Sequence, residues 1–225
     1  MNLRKLTLSA IALCAVAGAS PAHAHFLWGE VTPEATPIAK LALSDRPGEP
    51  SEDDMVERIK GAQAWNGKGQ EIKFTSNDTI RFGSLEGSKI FSSSQYYGVL
   101  DKTREGRGVF RCMYYAKAVL DINDAGQNLK LPFELFGRRD ADGHIVVTAK
   151  RGEAIYEGAK LNVFQPGRKL WVSYVTDAKG EIRFETPVPG IYGIKAAWID
   201  ETPGEVEGKK YPFTRNYSTL TFHVK

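Results

Sequence analysis

The sequence predicts a mainly β fold in two β-rich units, the second a β-sandwich, with one short helix near residues 51–60. Three observations lead there. Short runs rich in β-branched and aromatic residues recur from residue 37 to residue 224. Clusters such as "SND", "EGS", "REGRG" and "DADG" separate them, and these residues favour turns. Beyond residue 125 the runs are evenly spaced, as in a sandwich.

Residues 1–24 read as an export leader. Arg4 and Lys5 give a positive start, and "LTLSAIALCAVAGA" is apolar but short for a membrane span. Ala22, His23 and Ala24 place small residues where a signal peptidase reads, so the mature chain is expected to begin at His25. Leu13 is too large for the small residue that usually precedes a lipidated cysteine, which argues against an anchor at Cys14. The first unit, residues 25–125, opens with "HFLWGE", whose Phe26 and Trp28 anchor a first strand. "PIAKLALS", "EIKFTS", "TIRFGS" and "KIFSSSQYYGVL" follow as strands. "VFRCMYYAKAVL" reads as a strand because of Val109, Phe110, Tyr114 and Tyr115. Between them, "PSEDDMVERIKGAQAW" has Ser51 and acids ahead of Met55, Val56 and Ile59. That predicts a helix of about three turns, started by Ser51 and ended at Gly61.

The second unit, residues 126–225, resumes after the polar stretch "DAGQNLKLP". "FELFGRR", "HIVVTAK", "KLNVFQ", "LWVSYVT", "EIRFET", "IYGIKAAWI" and "YSTLTFHV" are its expected strands. Asp177 with Gly180, and Pro189 with Gly190, make two of the corners.

Charge and cysteine content exclude several classes. Loss of Arg4 and Lys5 with the leader leaves 28 basic against 27 acidic residues, so the whole-chain pI of 8.7 overstates the basicity. With no basic block and no nucleic-acid motif, nucleic acid is not an expected partner. No run after the leader is long and apolar enough to cross a membrane. Cys112 is the one cysteine of the mature chain, so no internal disulfide forms there. It reads as a small buried hydrophobe, with a soft metal ligand or an intermolecular bridge as alternatives.

"TDAKGEIRFETPVPGIYGI" resembles the carboxypeptidase-regulatory or prealbumin-like sandwich, which makes the second unit Ig/prealbumin-like. Together with "HAHFLW", "YYAKAVL" and "PGEVEGKKYPFTRNYSTLTFHV", it resembles a family of exported bacterial proteins associated with nickel and cobalt uptake. The resemblance spans nearly the whole mature chain. It implies periplasmic transition-metal handling, with a membrane metal transporter as partner. It also implies a functional role for His25, the histidine after the cleavage site. With no membrane segment after the leader, this chain would deliver metal to a transporter rather than be one.

The chemistry of His25 supports a metal reading. Cleavage would free its α-amine, whose pKa near 8 lets a metal displace the proton at neutral pH. Amine and ring Nδ1 then chelate one ion, and a second imidazole would complete a three-nitrogen site suited to Cu(II) or Ni(II). Affinity alone favours copper over nickel or cobalt. The candidates for that second imidazole are His144 and His223. His144 follows the Asp142-Gly143 turn. In "TLTFHV", alternation puts Leu220 and Phe222 on the core face and His223 with Thr219 and Thr221 on the polar face. Glu30 falls on the opposite strand face from His25.

No catalytic set emerges: there is no G-x-S-x-G, P-loop, G-x-G-x-x-G or H-E-x-x-H, and a non-enzyme is expected. An exported sandwich beginning with histidine is similar to copper-dependent polysaccharide monooxygenases. Those usually carry disulfides and a second histidine nearer mid-chain, and this chain departs on both points. A sandwich that binds a ligand or another protein without metal is the main rival reading. Tyr96-Tyr97 and Tyr114-Tyr115 would then line its surface, although alternation buries one of each pair.

Overall fold

The computed structural model describes residues 25–52 and 54–225; the expected leader lies outside them. The first half contains β1 (Phe26–Val31), β2 (Ile38–Ser44), α1 (Met55–Arg58), β3 (Gln63–Asn66), β4 (Thr75–Ser76), β5 (Arg81–Ser84), β6 (Ile90–Lys102) and β7 (Gly108–Val119). The second half contains β8 (Phe133–Arg139), β9 (Ile145–Arg151), β10 (Ala154–Ile155), β11 (Lys160–Phe164), β12 (Val172–Val175) and β13 (Glu181–Phe184). It ends with β14 (Gly190–Asp200), β15 (Gly204–Val206), β16 (Lys209–Tyr211) and β17 (Thr214–Val224). The fold is mainly β.

A seven-stranded sheet in the order β12-β11-β14-β17-β7-β6-β3 forms the middle layer. β1-β2-β5-β4 packs on one face, while β9, paired with β8, β10 and β13, packs on the other. Side-chain alternation along β7 feeds both interfaces. Phe110, Cys112, Tyr114, Ala116 and Ala118 join the core under β1 and β2, while Tyr115 and Val119 join the core under β8 and β9. A central sheet covered on both sides needs apolar residues on both faces, so Tyr114 and Tyr115 are both buried, contrary to the simple alternation rule.

The boundary expected near residue 125 does not divide the sheets. β7 from the first half pairs in parallel with β17 from the second, from Thr214 opposite Arg111 to Thr221 opposite Ala118. The halves are also tied by Lys117 and Glu134, 0% and 2% exposed, whose Nζ and Oε1 lie 2.7 Å apart. Lys117 Nζ donates further to the carbonyls of Ala125 (2.8 Å) and Gln127 (2.6 Å), which gives each ammonium proton an acceptor.

The helix is one turn of four residues rather than three turns. Ser51 does not cap it: Ser51 Oγ accepts from Leu43 N at 2.9 Å, at the end of β2. Asp54, just before the helix, is left-handed at φ 65° and makes no side-chain cap. "QAWN", just beyond the expected helix end at Gly61, forms edge strand β3 on β6. "EIKFTS" is strand only at Thr75–Ser76.

Candidate metal centre

His25 stands immediately before β1, at the rim of the interface between β1 and the central sheet. β1 lies flat because Gly29 has no side chain; a Cβ there would meet Phe91 Cζ at 2.8 Å and Ala118 Cβ at 2.9 Å. Thr219 Oγ1 donates to Leu27 O at 2.7 Å, the Phe26 ring packs 5.5 Å from that of Tyr217, and Tyr114 Oη donates to His25 O at 3.3 Å. Phe26 and Trp28 are buried and pin the strand, and Trp28 Nε1 donates to Ser44 O at 3.2 Å.

The His25 side chain is 17% exposed, with Nε2 3.4 Å from Glu52 Oε2 and 4.0 Å from Asp45 Oδ1. Nε2 is buried and makes no hydrogen bond. Both carboxylates come from the segment between β2 and α1. Lys195 lies close by, its Nζ 3.8 Å from the Phe26 ring centre and 4.4 Å from that of Trp171. Burial pulls its pKa down to about 8, partly offset by the attraction of Asp45. Beside His25 opens a cavity of about 400 Å³ lined by Tyr97, Tyr114, Tyr217, Phe110 and Arg107. The Tyr114 and Tyr217 rings stack at 5.4 Å, Tyr97 meets Tyr114 edge-on at 5.4 Å, and Arg107 donates to Tyr217 Oη at 3.0 Å.

The three histidines expected to share a metal are not brought together. Glu30, near the far end of β1, meets His223: its Oε1 lies 4.0 Å from His223 Nε2 and 3.8 Å from Lys40 Nζ. Glu30 lies five residue steps beyond His25, roughly 16 Å at the usual strand rise. His223 does lie on the face opposite the Leu220–Phe222 core, but that face is not open to water. β1 covers it, and His223 is 15% exposed. His144 sits in the β8–β9 hairpin, in the layer on the other side of the central sheet. Its Nε2 lies 3.5 Å from Glu185 Oε1 and its Nδ1 3.8 Å from Asp140 Oδ1.

Asp140, Asp142 and His144 place ligand-type atoms within 4.8 Å of one another. Arg183 already pairs with both carboxylates, donating to Asp140 Oδ2 at 2.6 Å and Asp142 Oδ2 at 2.7 Å. The Arg183 hydrogen bond is also the main cause that holds the Asp140 carboxyl below its usual range. A guanidinium thus competes with any cation for this group. Cys112 is 1% exposed, and burial pushes its thiol up to about 12. A thiol that keeps its proton at neutral pH is a poor ligand, which leaves the packing role.

The residues that do surround His25, Asp45 and Glu52, were not legible as site residues. They lie 20 and 27 positions along the chain, and Glu52 sits in an acidic run that reads as a solvated helix start. No protein-family model matches the chain, and no curated protein is significantly similar to it. Among the described residues, no helix is long and apolar enough to cross a membrane.

Proposed function

We propose that this is an exported, periplasmic protein that holds a divalent transition metal at His25 and passes it to an uptake system. The observation that carries the reading is the pair of carboxylates at His25 Nε2. A chelate with the α-amine uses Nδ1, the ring nitrogen nearer the backbone. Nε2–H is then left to be oriented by a hydrogen-bond acceptor, and metal-bound imidazoles ordinarily have a carboxylate or carbonyl there. Glu52 Oε2 at 3.4 Å and Asp45 Oδ1 at 4.0 Å from Nε2 support that reading. The reading rests on cleavage after Ala24, which frees the amine.

The ligand set differs from the one expected. With His223 and His144 elsewhere, His25 supplies the nitrogens, and the remaining positions fall to water, to a carboxylate or to a small ligand in the adjoining cavity. Such a mixed set admits Ni(II) and Co(II) as well as Cu(II), which affinity alone still favours. Among the described residues no second histidine stands at His25, which weighs against the monooxygenase reading. A metal-free ligand-binding role is the rival, favoured by the tyrosine-lined cavity itself.

Calorimetry with Ni(II), Co(II) and Cu(II) tests the proposal on three forms: the exported chain, its His25→Ala variant, and a chain retaining one extra residue before His25. Binding by the first and its loss in the other two is expected. Equal binding by all three, or none by the exported chain, would overturn it. Mass spectrometry of the mature terminus checks the start.

A further inference from the structure

We propose that the protein self-associates through β12, which pairs antiparallel with β12 of a second copy about a two-fold axis at Ser173. β12 is the last strand on one side of the seven-stranded sheet. Its backbone orientation is fixed by Thr176, whose N donates to Ala159 O (3.0 Å) and whose O accepts from Gly158 N (3.1 Å). Thr176 therefore faces β11. Alternation turns residues 172 and 174 the same way, and presents the backbone groups of Trp171, Ser173 and Val175 outward.

This edge lacks the usual protection. "LWVSYVT", residues 170–176, contains no charge and no proline. Leu170 is 78% exposed, Val175 67% and Trp171 48%, among the most exposed large apolar residues of the described chain. At the opposite side of the sheet, β3 is partly closed, because Trp65 bridges to Glu71.

The sequence of the edge is self-complementary in one register. A two-fold axis requires that if residue i meets residue j, then j meets i. Centred on Ser173, Trp171 faces Val175 of the second copy, twice. Aromatic against β-branched is a favourable cross-strand pair. A shift of the axis by one residue sets Ser173 against Trp171, or Ser173 against Val175. The Ser173 axis alone of these three matches apolar with apolar. Trp171 is also half-packed on Phe164, 5.6 Å between ring centres, so it is held ready on that face.

Sedimentation equilibrium of the mature chain is expected to give twice the single-chain mass. Val175→Lys, exposed in the single chain and harmless to its fold, is expected to weaken the dimer about tenfold, because it removes an apolar pair on each side of the axis. Ser173→Cys is expected to form a disulfide-linked dimer under mild oxidation, since Cα atoms in a hydrogen-bonded antiparallel pair lie about 5.5 Å apart, within disulfide range. Lys68→Cys, exposed in the turn after β3 at the opposite end of the sheet, serves as the control. A single-chain mass at every concentration would overturn the proposal, as would cross-linking no faster at 173 than at 68. A dimer indifferent to Val175→Lys would place the contact on another surface and overturn it as well.

Discussion

Replacing Glu134 with glutamine should destabilise the protein by about 4 kcal/mol, because it leaves a buried ammonium without its counter-charge. The ion pair to Lys117 spans 2.7 Å and neither side chain is measurably open to solvent. At an effective dielectric constant of about 20, two unit charges that close attract by about 6 kcal/mol. Part of that attraction offsets desolvation, which pulls the Lys117 pKa down even with Glu134 beside it. The glutamine retains an acceptor oxygen, and the carbonyls of Ala125 and Gln127 remain, so the loss falls below the gross attraction. Glu134 also accepts from Leu129 N (3.0 Å) and Leu131 N (3.2 Å), so the polar stretch that links the two halves is held by the same carboxylate. Urea unfolding monitored by tryptophan fluorescence measures the effect. A loss of about 4 kcal/mol with an unchanged denaturant slope is expected, together with partial recovery in a Lys117→Met, Glu134→Leu double variant. A loss below about 1 kcal/mol for Glu134→Gln would refute the reasoning, since it would mean that Lys117 and Glu134 are not both ionised in the folded state.

Other expectations follow from single contacts. Glu52→Gln should weaken metal binding at His25 by about 10- to 100-fold if its carboxylate orients the ring, as titration with Ni(II) would show. Lys195 has a folded pKa depressed from 10.5 to about 8, so the unfolded chain binds the extra proton between those values. Stability should therefore rise by up to about 3 kcal/mol as pH goes from 8 to 10.5, and this rise should be missing from the denaturation curves of Lys195→Met. Gly29→Ala should cost about 1–3 kcal/mol through its collision with Phe91 and Ala118, seen as a lowered melting temperature. Cys112 should resist thiol reagents at neutral pH and react only at the rate of global opening, which a labelling time course against urea would reveal.

Much of the secondary structure was legible because strand chemistry is local. Val109, Phe110, Tyr114 and Tyr115 mark β7, and the turn residues Asp177 and Gly180 mark the start of β13. The helix misled because its signals were real but had other uses. Ser51 spends its hydroxyl on Leu43 N, and only Met55–Arg58 turn as helix. Alternation placed His223 opposite the Leu220–Phe222 core correctly but could not show that β1 covers that face.

The sequence by itself determined the β character, the place of a short helix between residues 51 and 60, the burial of Cys112 and the anchoring of the first strand by Phe26 and Trp28. Each follows from residue type and near-neighbour spacing. Only the tertiary structure decided that β7 and β17 share a sheet, that Lys117 meets Glu134, and that His25 is attended by Glu52 and Asp45 rather than by His144 or His223. The physical reason is the same in each case. Pairing between distant strands depends on how three layers bury their faces together, and no window of sequence carries that information. It turned three histidines that looked like one ligand set into three separate sites, each with its own carboxylates.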